Sequence, residues 1–295
     1  MRSSRSHGPR EPWLWILNVP AVVLILAFSA LPILDVGWLS LQDLRAGVAA
    51  GGWVGGANYR FVLSDASTLT AFRNTLYFSA GSVGLATVVG LAVALLLDSR
   101  APGAAWLIVG AVLPWAIPEI VNALLWQWIY NPTYGALNGA LVSLGVLDRY
   151  RTWLSTPSSA MHAIIFAYAW KLVPFVVIVL FAALRSVPGD VYESAQIDGA
   201  DDWRQFRHIT WPLVAPAVAV AVTFCVVWSM RAFDIVYLLT KGGPGEATVL
   251  LSYLTFTKAF EFGDLGAGAA VACLLAGVTL AMTLVYLRVL PEGNS

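Results

Sequence analysis

Six long apolar runs, parted by shorter polar stretches, divide this chain. They cover roughly 13–34, 72–97, 104–130, 158–184, 212–239 and 265–290. A helix needs about 20 mostly apolar residues to cross a bilayer, and each run reaches that length. Several exceed it, which predicts tilt or extension past the hydrocarbon. The pattern predicts an all-α membrane protein with six transmembrane helices. The first run follows Arg2, Arg5 and Arg10. It is too long for a secretory leader and no small-residue cleavage site follows it, so it reads as an anchor. Those arginines place the N-terminus in the cytoplasm, and six crossings return the C-terminus there. The expected organisation is a cytoplasmic segment 1–12, one six-helix domain 13–290 and a cytoplasmic tail 291–295. Loops 98–103 and 185–211 then face the cytoplasm, and 35–71, 131–157 and 240–264 face outside.

Composition agrees with the pattern. Of 295 residues 59% are hydrophobic and 12% charged, with a mean hydropathy of +0.74. A soluble domain carries about 25% charged residues. Formal net charge is zero, so nothing argues for a nucleic-acid partner. Thirteen tryptophans suit rings seated at headgroup level. Cys225 and Cys273 lie in apolar runs and read as buried thiols, with no disulfide or metal spacing. No phosphate-binding loop, zinc motif or nucleophile elbow is present, and His7, His162 and His208 are scattered singly. No catalytic constellation, metal site or cofactor site can be assembled, so the chain is expected not to be an enzyme and not to hydrolyse ATP.

Ionisable groups inside spans are costly, and each is a functional hypothesis. There are four: Glu119, Lys171, Arg231 and Asp234. Glu119, Asn122, Trp126 and Tyr130 fall at i, i+3, i+7 and i+11 of the third run, on one helical face just after Pro114 and Pro118. A polar stripe with aromatic rings suits a sugar, with rings against C–H faces and amide and carboxylate against hydroxyls. A packing face against a partner is the alternative. Arg231 and Asp234, three apart, are expected to share a helical face as a self-neutralising pair, or else Arg231 reads an anion. Lys171, between Trp170 and Pro174, either snorkels or meets a carboxylate that spacing does not name.

The most polar long stretch is YESAQIDGADDWRQFRHITWP, Tyr192 to Pro212. Pro188 and Asp190 supply start signals for a short helix carrying Glu193, Ser194 and Ala195. Asp198 belongs to the same polar loop, and Gly199 offers a cheap reversal. A second short helix follows, with Trp203, Phe206 and Ile209 spaced three apart, and Pro212 opens the fifth span. Such a helix either lies in the headgroups or is offered to a groove on a partner.

The spacing E-S-A-x3-G-x9-I-x-W-P resembles the E-A-A-x3-G-x9-I-x-L-P loop of permease subunits of bacterial ABC importers, with Ser194 and Trp211 as departures. ANYRFVL, FRNTLYFS, WQWIYNPTYGALN, AALRSVPGDVYESAQIDGA and LLTKGGPGEAT also resemble carbohydrate importer permeases, over about residues 55–265. FDIVYLLTKGGP looks like the maltose-type F half of a permease pair, here without that prototype's large external domain. The resemblance implies a type I importer permease fold in which residues 188–211 dock on an ATPase and couple hydrolysis to the gate. It implies a second permease, two ATPase subunits using ATP and magnesium, an external solute-binding protein and a carbohydrate or polyol substrate, in the inner membrane of a bacterium or archaeon. Glycerol phosphate is the rival substrate. An ion-coupled secondary transporter, with Glu119 or Asp234 as the proton or sodium site, is the rival class.

Overall fold

The computed structural model describes residues 13–45, 47, 51–98, 110 and 112–289. The expected segments 1–12 and 291–295, and most of the first half of the third run, lie outside the described residues. Helix α1 (Trp13–Ile25) continues through a π turn (Leu26–Ala30) into α2 (Leu31–Leu39). Then follow α3 (Ala57–Ser64), α4 (Ala66–Asp98), α5 (Glu119–Ile129), α6 (Ala136–Ser143), α7 (Pro157–Arg185), α8 (Gly189–Ile197) and α9 (Asp202–Gln205). The chain ends with α10 (Trp211–Met230), α11 (Asp234–Leu239), α12 (Leu251–Phe256), a π turn (Thr257–Glu261) and α13 (Leu265–Val289). No strand occurs among the described residues; two isolated bridges, Gln42 to Trp53 and Arg45 to Asp264, tie loops together.

Among the described residues, five helices are long and apolar enough to cross a membrane: Asn18–Leu39, Ala66–Asp98, Pro157–Arg185, Asp202–Met230 and Leu265–Tyr286. The third expected span is instead interrupted. A short helical stretch over 112–116 stops at Ile117 and Pro118, and α5 restarts at Glu119. Pro118 lacks the N–H that a continuous helix would need. The fifth expected span, 212–239, is also broken. α10 ends at Met230, residues 231–233 leave helical geometry, and α11 restarts at Asp234. Broken backbone at membrane depth is tolerated where other groups satisfy it. Here the Tyr168 hydroxyl donates to Trp228 O at 2.9 Å and Ser252 Oγ to Ala232 O at 2.5 Å.

The core forms where α4, α7 and α10 pack together. Small residues let the first two approach closely: a Cβ placed on Gly90 would stand 2.6 Å from Val176 Cγ1. Phe78 packs on Tyr168 with ring centroids 5.2 Å apart, and Ser79 and Ser229 share a buried hydrogen bond of 2.6 Å between α4 and α10. An Arg185–Asp98 pair at 3.1 Å ties the ends of α4 and α7.

At the opposite end of α7 the loops are held by buried polar groups. Lys258 meets Asp65 at 2.7 Å and lies 5.2 Å from the Phe61 ring centre. Burial pushes the Asp65 carboxyl up, but Lys258 and the Ser67 amide more than offset this, so it sits below the ordinary carboxylate range. Asn138 is fully buried and acts as a hub. Its Oδ1 accepts from Arg151 N at 3.1 Å and Trp153 Nε1 at 3.0 Å, and its Nδ2 donates to Arg151 O at 2.9 Å. Asn138→Ala strands three groups that cost about 1–3 kcal/mol each when buried unpaired. We expect a clear fall in the thermal midpoint of the purified chain. An unchanged midpoint would show that the 131–157 loop is held by something else.

Candidate functional site

The two broken spans meet at a cavity of about 200 Å³ lined by Trp115, Glu119, Tyr168, Lys171, Leu172, Trp228 and Arg231. α5 and α11 pack against each other, which brings their first residues together. Glu119 and Asp234 thereby lie within interaction range of one another, and both feel Lys171. Glu119 stands in the first turn of α5, where free backbone N–H groups favour an acid. Lys171 reaches across from α7 and donates to Ile117 O, the carbonyl released by the break in the third span. Three of the four intramembrane charges named from the sequence, Glu119, Lys171 and Arg231, thus line one cavity, and Asp234 lies beside Glu119.

Their pairing differs from the expected one. Arg231 and Asp234 form no ion pair; the pairs among the described residues are Arg45–Asp43, Arg185–Asp98 and Lys258–Asp65. An i, i+3 pair requires an unbroken helix, and the chain leaves helical geometry between Arg231 and Asp234. Asp234 turns to Glu119 instead.

The stripe on α5 also divides. Glu119 opens onto the cavity, whereas Asn122, Trp126 and Tyr130 are 2%, 6% and 4% exposed. Trp126 packs against Phe166 and Trp170 of α7, and the Tyr130 hydroxyl donates to Ala163 O at 3.0 Å. Asn122 Oδ1 and Trp126 Nε1 are buried without a hydrogen-bond partner. Such groups are rare and call for an explanation.

The 188–211 stretch is a helix, a turn and a helix. α8 ends in a Schellman arrangement: Ala200 N bonds to Ala195 O at 2.9 Å and Gly199 N to Gln196 O at 3.0 Å. Gly199 has φ +78°, which glycine adopts without strain. Asp201 caps the next turn, its Oδ1 accepting from Arg204 N at 2.8 Å. The Tyr192 and Thr210 hydroxyls, 3.0 Å apart, join the two arms. The second arm is not a separate short helix, as the spacing had suggested. α9 runs through a π turn (Phe206–Thr210) directly into α10. The wider turn accommodates Pro212, whose missing N–H would break an ordinary α ladder. The second arm is therefore a rigid extension of the fifth span. Glu193, Ser194, Asp198 and Gly199 are exposed, as are Ile197 at 87% and Trp203 at 65%. Trp203 stacks on Phe206 at 5.8 Å, while Ile209 is half-buried.

Residues 86–292 match the family described as binding-protein-dependent transport system inner membrane component. The chain belongs to this family. Among relatives of this inner membrane component, the trehalose/maltose transport system permease protein of Thermococcus litoralis is 39% identical over 93% of this chain and 92% of its own. A diacetylchitobiose uptake system permease protein of Streptomyces coelicolor is 30% identical over 98% and 89%. The fold matches a chain of a bacterial ABC transporter involved in import of the acidic polysaccharide alginate, with a TM-score of 0.82, 21% identity and 96% of each chain covered. The inner membrane component thus has the type I importer permease fold. Spacing did not reveal the loop hub Asn138 or the Asp65–Lys258 pair. The only signal for the latter is two charges beside apolar runs, 193 residues apart.

Proposed function

We propose that this chain is the permease subunit of an ATP-driven importer and passes a sugar or related polyol through the cavity between its broken third and fifth spans. The observation that carries the reading is the meeting of both breaks at Glu119, Lys171 and Arg231. Two carboxyls and two cations balance there, which suits a neutral polyhydroxyl better than a phosphate ester facing Glu119 and Asp234. Relatives named for trehalose/maltose and diacetylchitobiose support the same class. The unpartnered Asn122 Oδ1 and Trp126 Nε1 are then groups that hydroxyls meet when the gate moves.

The shape supports the same set of partners. The helix Asn18–Leu39 is apolar and unburied along its length, with Phe28 77% exposed, which suits a second permease beside it. The 188–211 arms suit a groove on an ATPase, which agrees with both termini in the cytoplasm and an external binding protein on the far face. The test is reconstitution with two ATPase chains, a second permease and the cognate binding protein. Disaccharide uptake that needs ATP and the binding protein is expected, and this chain alone should show no ATPase activity. ATP hydrolysis by the purified chain, or uptake driven by an ion gradient without ATP, would overturn the reading.

A further inference from the structure

Two cavities that share Phe166 line α7, from its end away from the 188–211 arms down to Leu96 of α4. The upper one, of about 520 Å³, lies between α6 and α7. Arg151, Thr156, Ser158 and His162 form its polar end, and Leu137, Leu141 and Phe166 its apolar end. Phe166 also lines a second cavity of about 370 Å³ that continues down α7 past Trp170 and Val173, facing Leu85 and Val89 of α4. From Thr156 to Val173 the helix rises about 26 Å. That is long enough for a headgroup plus half of a bilayer core, about 20–22 Å.

The polar end is built for an anion. The Arg151 guanidinium lies 5.4 Å from the Trp153 ring centre. Arg149 lines an adjoining cavity with Arg151 and Asp148. Neither arginine forms an ion pair among the described residues. His162 bonds the Tyr77 hydroxyl at 2.8 Å and Ser158 Oγ at 3.3 Å, and the hydroxyls of Thr156, Ser158 and Ser159 line the same cavity as Arg151. Trp128 and Tyr134, 62% and 67% exposed, mark this end as the level of the headgroups. The lower part offers almost no polar atoms, which suits an acyl chain and not a sugar. We propose that these two cavities together hold one anionic phospholipid, its phosphate at Arg151 and one chain along Phe166 to Val173.

The full-length chain, purified in mild non-ionic detergent, is stripped of lipid and offered phosphatidylglycerol, phosphatidylcholine or inorganic phosphate, with retention read by native mass spectrometry. Phosphatidylglycerol should be retained over phosphatidylcholine. Arg151→Gln should weaken its retention about fivefold, as expected for one basic residue near a lipid phosphate. Val89→Phe, which fills the tail groove and leaves the cations untouched, should weaken it too. Arg60→Gln, which removes the same charge elsewhere, should not. The proposal falls if Arg151→Gln and Arg60→Gln behave alike, or if both phospholipids are held equally. It also falls if inorganic phosphate displaces phosphatidylglycerol while Val89→Phe binds it normally, because the site would then be one for a free anion.

Discussion

Gly199→Asp is expected to yield a chain that inserts and folds but no longer holds or drives the proposed ATPase partner. Two magnitudes separate fold from function here. Gly199 has φ +78°, so any side chain is strained, by about 1–2 kcal/mol for most residues and less for Asp, which tolerates left-handed backbone. A Cβ at this position meets nothing of the chain itself within 4 Å. The Schellman bonds from Ala200 and Gly199 use backbone groups and survive the change. The substitution therefore places a charged side chain in the open space where the proposed partner would sit. Glu193, exposed and without an ion pair among the described residues, is the matching test on the first arm. If it pairs with a basic group on the ATPase, Glu193→Ala costs about 2–5 kcal/mol, a tenfold or greater loss of association. Co-purification of the ATPase and binding-protein-stimulated hydrolysis in vesicles are the readouts. If Gly199→Asp retains all subunits and transports at the parental rate, residues 188–211 are not the coupling site.

Lys171→Met should lower the yield of assembled protein several-fold. The lysine satisfies the Ile117 carbonyl and balances the two carboxyls that meet beside it. Its loss leaves a part-buried carbonyl without this partner, at about 1 kcal/mol. It also leaves an excess negative charge at membrane depth, at about 2.5–3.5 kcal/mol on insertion scales. Adding Glu119→Gln restores the charge balance, and the double variant should regain much of the yield. If Glu119 touches the substrate, the double variant should still transport at least tenfold more slowly, because the carboxylate facing the cavity is gone. A double variant that assembles and transports like the parent would reduce the four charges to a structural cluster.

Much of this was legible along the chain, and the exceptions share a cause. Run length and hydropathy located the spans because a bilayer demands about 20 apolar residues whatever the packing. The Gly199 reversal was legible because one residue type suits that backbone. The i, i+3 pairing of Arg231 with Asp234 failed because it assumes a continuous helix. The break at 231–233 is sustained by Tyr168 and Ser252, side chains remote in sequence. The stripe on α5 read as one face, but a face says nothing of its neighbour. α7 covers Trp126 and Tyr130, and the cavity receives Glu119 alone.

The sequence by itself determined the membrane class, the approximate positions of five spans, the family-like loop and the identity of the four costly charges. These depend on composition and local spacing, which the chain carries with it. Only the tertiary structure decided which charges meet, which aromatic residues are packing, and that the second loop arm is the fifth span continued. These depend on contacts between residues tens to hundreds of positions apart. There, the groups that satisfy a broken backbone or neutralise a charge come from other helices.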